Sequence, residues 1–162
     1  MSGIIGGAGS KSGVIGETEI DYEEGTFPLA FAASGETSGT YNMNSGADQG
    51  VYCRVGNIVT FNITATILGT YSPGSGYLIL NSLPFAVNST IASTGHTPNA
   101  GGGLGRLVNE VANGPTGWLA FHGTAVIYFG RQDANGYWYL AGADKAGSSM
   151  QMHFGGSYVC VN

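Results

Sequence analysis

Trp118, Tyr137, Trp138 and Tyr139, with Arg131, Gln132 and Asp133 beside them, are the residues of this chain best suited to chemistry at a surface. Flat aromatic faces stack on sugar rings, while guanidinium, amide and carboxylate groups bind the hydroxyls; together they make a shallow glycan site. Tyr71 and Tyr77 also fall near expected loops or strand ends. The same aromatics would serve as core or as a subunit interface, and the sequence leaves that alternative open.

Other constellations carry less. Glu17, Glu19, Asp21, Glu23 and Glu24 alternate along one extended segment, so they point to different sides. That pattern reads as solvated charge guarding the start of a strand, in preference to a catalytic pair or a calcium site. His96, His122 and His153 share no ligand spacing; only symmetry mates on a threefold axis would bring them to a metal or anion, and ordinary histidines are the simpler reading. GGAGSKSG at 6–13 fails the phosphate-loop pattern, since Ser10 precedes Lys11 and neither strand nor helix flanks it. GGGLG at 101–105 is read as a glycine loop only. No serine sits in a nucleophile-elbow context. Asn62 and Asn88 fit the glycosylation pattern at a frequency near chance for so Asn- and Thr-rich a chain. Cys53 and Cys160 fall on separate strands without metal-like spacing and are read as reduced thiols before a disulfide. Nothing here makes a positive case for an enzyme, a metal or a cofactor.

The elements that must position these residues are strands. In GVYCRVGNIVTFNITATIL, residues 50–68, the pair Gly56-Asn57 signals a two-residue hairpin turn. Val59, Phe61, Ile63, Ala65 and Ile67 then share one face, and Thr60, Asn62, Thr64 and Thr66 the other. The turn fixes register: Val55 opposite Ile58, Tyr52 opposite Phe61, Cys53 opposite Thr60. The polar face carries Ile58 and three threonines with no charge, which suits packing against another chain.

A chain of 162 residues with 29 glycines, five cationic and ten acidic side chains spends much of its length on turns between short strands. Further strands are expected at 27–33, around Tyr41, at 77–80, 118–122, 124–129, 137–140, 149–154 and 158–161. Leu83-Pro84-Phe85 forms a bend, and 69–75 and 89–105 are loops. Asp133-Ala134-Asn135-Gly136 marks a second hairpin. About eight to ten strands and no long helix predict an all-β antiparallel sandwich or barrel. A net charge of −5 with no basic stripe argues against nucleic acid and against an anionic membrane surface. No apolar run approaches the ~18 residues that would span a bilayer. The first residues lack the form of a secretory signal, which predicts synthesis in the cytosol or a fragment of a longer chain.

The order of segments adds a resemblance. GIIGGAGSKSGVIG, EIDYEEGTF, GVYCRVGNIVTF, LPF and MHFGGSYV, in that order, resemble the C-terminal tip domains of tailed-phage fibre proteins. In that group a neck is followed by a D-[YF]-E-E-G-T-[WF] opening strand, a Y-[TC]-[KR]-[IV]-G hairpin and a final F-x-G-[ST]-Y strand. The resemblance implies a jelly-roll-like β-sandwich assembled as a homotrimer, with residues 1–16 as a glycine-rich neck or linker and 17–162 as the knob. It further implies a virion protein made in the host cytoplasm, joined to other virion proteins through the neck. Its loops would meet a host cell-surface receptor, for which a glycan is the expected chemistry. The family pattern is structural and transfers no catalytic residue. Cys53 replaces a usual threonine, and FPLAFAAS replaces a Trp-Thr-Pro run. Alternatives are a capsid decoration or head fibre without a receptor role, a glycan depolymerase using Asp and Glu of neighbouring chains (Asp133 and Asp144 as candidates), and a free lectin-like module.

Overall fold

A computed structural model describes residues 21–35, 39–44, 48–72, 74–89, 100–108, 114–121, 123–132, 134, 138–140 and 149–161. The central hairpin follows its sequence. β4 (Gln49–Val55) and β5 (Ile58–Ser72) pair antiparallel with Val55 opposite Ile58, Tyr52 opposite Phe61 and Cys53 opposite Thr60. Gly56 takes φ 59°, the left-handed value that the first position of such a turn demands. Val59, Phe61, Ile63, Ala65 and Ile67 are each no more than 2% exposed, while Thr60, Asn62 and Thr64 face outward. Burying each large member of that row is worth about 1.5–3 kcal/mol, which holds the register against a one-residue slip.

The other strands are β1 (Tyr22–Phe27), β2 (Phe31–Ala33), β3 (Thr40–Met43), β6 (Leu78–Leu80), β7 (Ala100–Gly103), β8 (Arg106–Val108), β9 (Gly117–Ala120), β10 (Ile127–Gln132), β11 (Trp138–Leu140) and β12 (Gln151–Val159). They form two antiparallel sheets and, among the described residues, there is no helix. One sheet runs β1-β4-β5-β12-β8, with β3 also on β5; the other runs β2-β6-β10-β9-β7, with β11 also on β10. Their inner faces share one hydrophobic core. Phe61 meets Trp118 edge-on at 5.2 Å, and Phe129 meets Phe154 edge-on at 5.3 Å, so aromatic contacts join the sheets. The architecture is a β-sandwich.

β5 changes partner along one edge. Its first part pairs with β4 as far as Thr64 opposite Gln49, and its far part pairs with β3 from Ile67 opposite Met43. Asp48 closes the gap between the two ladders: its Oδ2 accepts the backbone N–H of Thr66 at 2.9 Å and that of Asn44 at 2.9 Å. The carboxylate thereby supplies the acceptor that the Thr66 N–H lacks between the two ladders, and shares the Asn44 N–H with the Thr66 carbonyl at 3.3 Å.

Four expected boundaries are corrected. The strand expected at 27–33 divides, because Pro28 cannot donate to a ladder; the chain leaves the first sheet after Phe27 and joins the second at Phe31. The loop expected from Gly69 begins later, since β5 continues to Ser72 on β3. GGG at 101–103 is strand rather than loop, lying in β7 against β9. Finally, 149–154 and 158–161 merge into β12, which pairs with β5 continuously from Gln151 to Val159 through Gly155 and Gly156. Twelve strands result among the described residues, more than the sequence predicted.

Candidate functional site

Of the surface expected near the second hairpin, the described side chains are those of Trp118, Arg131 and Gln132. Trp118 is corrected outright: it is 1% exposed, at the centre of the core. Its position in β9 pairs with Phe129 and with Gly102, so alternation turns it inward with Phe129. The two glycines across from it make the room. A Cβ at Gly156 would lie 2.4 Å from Trp118 Cζ2, and one at Gly102 would lie 2.9 Å from Nε1. Arg131 and Gln132 are consecutive on β10, the first half-buried and the second exposed, and alternation sends them to opposite faces. β11 pairs Tyr139 with Arg131 and Trp138 with Gln132, as the expected hairpin requires. Asp133 and Tyr137 lie outside the described residues, as do His96, His122, Asp144 and the segment 1–20.

The residues that do converge are those of the short motifs. Arg54, from the hairpin, reaches Asp21 at 3.0 Å and Glu23 at 3.8 Å, and its Nε donates to the Gly56 carbonyl at 2.7 Å. Its guanidinium lies 5.0 Å over the ring of Phe85, from the LPF bend. Tyr52 donates to Glu23 at 2.6 Å and stands edge-on to Phe85 at 5.4 Å. From β12, Tyr158 donates its hydroxyl to the Phe85 carbonyl at 3.0 Å. Asp21 and Glu23 therefore serve Arg54, which refines the expectation of purely solvated acids.

Two phenols of this region are shifted. Tyr22, exposed on β1, is pushed up to about 12, chiefly by its 2.6 Å hydrogen bond to the Glu24 carboxylate. Burial drives Tyr158 further in the same direction. A phenol whose folded value exceeds its unfolded 10.0 contributes stability that is intact below pH 10 and lost as pH rises beyond it. Tyr158→Phe is expected to cost about 1 kcal/mol at neutral pH for the lost hydrogen bond. It should then lose less stability than the parent between pH 10 and 11 in urea titrations; parallel losses would show that Tyr158 is solvated.

A second feature was invisible in sequence. Ser34, Tyr77, Phe121, Thr124 and Tyr128 line a depression of about 460 Å³ on the outer side of the second sheet. Phe121 and Tyr128 stand nearly perpendicular (81°) with centroids 5.1 Å apart, and Tyr77 is 45% exposed. The one available signal was Tyr128: in Ile127-Tyr128-Phe129 it alternates with two core residues and so must face outward. The remaining members come from loops whose meeting no local pattern encodes. A smaller, more polar depression of about 290 Å³ lies on the first sheet around Gln49, Asn62, Thr64 and His153, where Thr64 Oγ1 and His153 Nδ1 are 3.2 Å apart. Cys53 and Cys160 are both free thiols, Cys160 buried and Cys53 half-buried. Among the described residues no three of His, Cys, Asp and Glu gather as a metal site. Comparison with protein families and with curated proteins finds no match for the chain.

Proposed function

We propose that this chain is a virion fibre knob: a jelly-roll-like, homotrimeric domain, carried on its glycine-rich first residues, that attaches to the host surface through its loops. The observation that carries the reading is the convergence of the motif segments. EIDYEEGTF supplies β1, GVYCRVGNIVTF supplies β4 and the start of β5, and MHFGGSYV supplies most of β12, so they form neighbouring strands of one sheet. LPF closes over the same end, where Phe85 receives Arg54, Tyr52 and Tyr158. A structural signature scattered through the sequence thus acts as one packed unit, which is how a family scaffold with free loops is built.

The outer face of the same sheet supports assembly. Tyr22, Val55 and Ile58 form one cross-strand row, 59%, 45% and 52% exposed, and β4 and β5 present no charge there. Apolar side chains in such a row are expected to be covered in an oligomer.

Light scattering coupled to size exclusion tests the assembly, and fluorescently labelled protein on candidate host cells tests the attachment. A mass three times the 16.6 kDa chain, with saturable labelling, is the expected result. A monomer that leaves every host unlabelled would remove the proposal.

A further inference from the structure

We propose that the depression between Ser34, Tyr77, Phe121, Thr124 and Tyr128 holds a neutral sugar ring of a surface glycan, an inference that rests on the host-attachment reading above. Its size, about 460 Å³, falls within the ~300–1,000 Å³ of small-ligand sites. Its walls are aromatic. Phe121 and Tyr128 meet at 81°, so a ring entering the corner finds a π-face on one side and an edge on the other. Tyr77 also lines it, 45% exposed although it adjoins the buried Leu78.

The polar groups are few and fixed. Ser34 Oγ accepts the Tyr77 N–H at 2.9 Å, which leaves its own O–H to donate. Thr124 Oγ1 donates to the Phe121 carbonyl at 2.9 Å, which leaves its lone pairs to accept. A hydroxyl-bearing ligand is thereby offered one donor and one acceptor on opposed loops. Both loops are tied down: the Ser34 N–H bonds the Tyr77 carbonyl at 2.9 Å, and the Val87 N–H bonds the Thr124 carbonyl at 2.8 Å. Little ordering cost remains to be met on binding.

Charge selects among sugars. Among the described residues no charged side chain lines the depression, so a uronate or sialate would gain no ion pair from them while losing hydration. Aliphatic ligands would leave the two hydroxyls unused. A neutral pyranose, with an apolar C–H face and a hydroxyl rim, matches both surfaces.

Saturation-transfer NMR on the whole chain, with maltotriose, mannotriose and chitotriose as neutral probes and trigalacturonate as the acidic counter-probe, tests this. At least one neutral probe should receive saturation and trigalacturonate should not. Tyr77→Ala should weaken that binding about tenfold, the loss of one stacking wall, and Thr26→Ala, exposed on β1 of the other sheet, should leave it unchanged. Should Tyr77→Ala lose its fold by circular dichroism, Ser34→Ala and Thr124→Val carry the same test. The proposal falls if no neutral probe binds, if trigalacturonate binds preferentially, or if the depression variants bind as the parent does. It also falls if those variants lower the solution mass, since a second copy of the chain would then occupy the depression. Labelling of host cells by the parent protein is read separately. Cells labelled equally by parent and Tyr77→Ala keep the attachment reading and remove this site, whereas unlabelled cells with intact sugar binding do the reverse.

Discussion

Trp118→Ala is expected to destabilise the fold by about 3–5 kcal/mol, the range for removing a large buried aromatic. The indole fills the space between the sheets, 1% exposed and edge-on to Phe61 at 5.2 Å, and Gly102 and Gly156 have no side chains with which to refill it. Trp118→Phe should cost less than half as much. Trp118 Nε1 is buried with no acceptor among the described residues, and phenylalanine removes that unpaired donor along with the lost volume. The reverse perturbation is Gly156→Ala, whose methyl would sit 2.4 Å from Trp118 Cζ2 and should cost about 1–3 kcal/mol. The two sites share one space, so Gly156→Ala should be milder in the Trp118→Phe background. Urea midpoints at constant m give all four values. A Trp118→Ala protein within 1 kcal/mol of the parent would mean the indole does not join the sheets.

Asp48→Ala should cost about 3 kcal/mol. Two backbone donors, on Asn44 and Thr66, lose a charged acceptor at once, and bonds of this kind are worth about 1.5–3 kcal/mol each. The effect should be local in origin. The β4–β5 ladder ends at Thr64 and the β3–β5 ladder starts at Ile67, so on that edge the Thr66 N–H lies between two pairings, whereas the Asn44 N–H keeps the Thr66 carbonyl at 3.3 Å. Asp48→Asn keeps one oxygen and should recover part of the loss. Amide exchange read residue by residue distinguishes the cause: Thr66 and Asn44 should lose protection first, ahead of Phe61 and Ile63. Uniform loss of protection would overturn the bridging role.

Strand identity in the hairpin was legible because three signals agreed there: the Gly-Asn turn, strict alternation and β-branched residues on both faces. The same grammar misled at 101–103. Three glycines in a row carry no alternation, and their strand exists because Trp118 packs across them, a tertiary fact with no local trace. Trp118 itself was misplaced for a related reason. An aromatic followed by Leu119 and Ala120 fits a buried or an exposed strand equally well, and only its pairing with Phe129 decides. Of the expected sugar-binding residues, Arg131 and Gln132 fell beyond a strand expected to end at 129; β10 runs on to Gln132, and alternation then parts them. The depression at Tyr77 and Tyr128 needed loops separated by some ninety residues to meet, as Ser34 and Thr124 do, and no spacing rule reaches so far.

The antiparallel pairing of β5 with β12 also sets a timetable for the chain. Thr60 and Ser157, joined through their hydroxyls at 2.8 Å, are 97 residues apart in sequence. Until that distance is closed, β5, the longest strand among the described residues, has one edge unpaired, a template for other chains as well as for its own partner. Closing so long a loop is entropically slow, and sandwiches dominated by such contacts fold in milliseconds to seconds, far more slowly than helical bundles. The uncharged threonines along β5 offer little electrostatic protection during that interval. Concentration during refolding, more than temperature, is therefore the variable that should govern the yield of native protein.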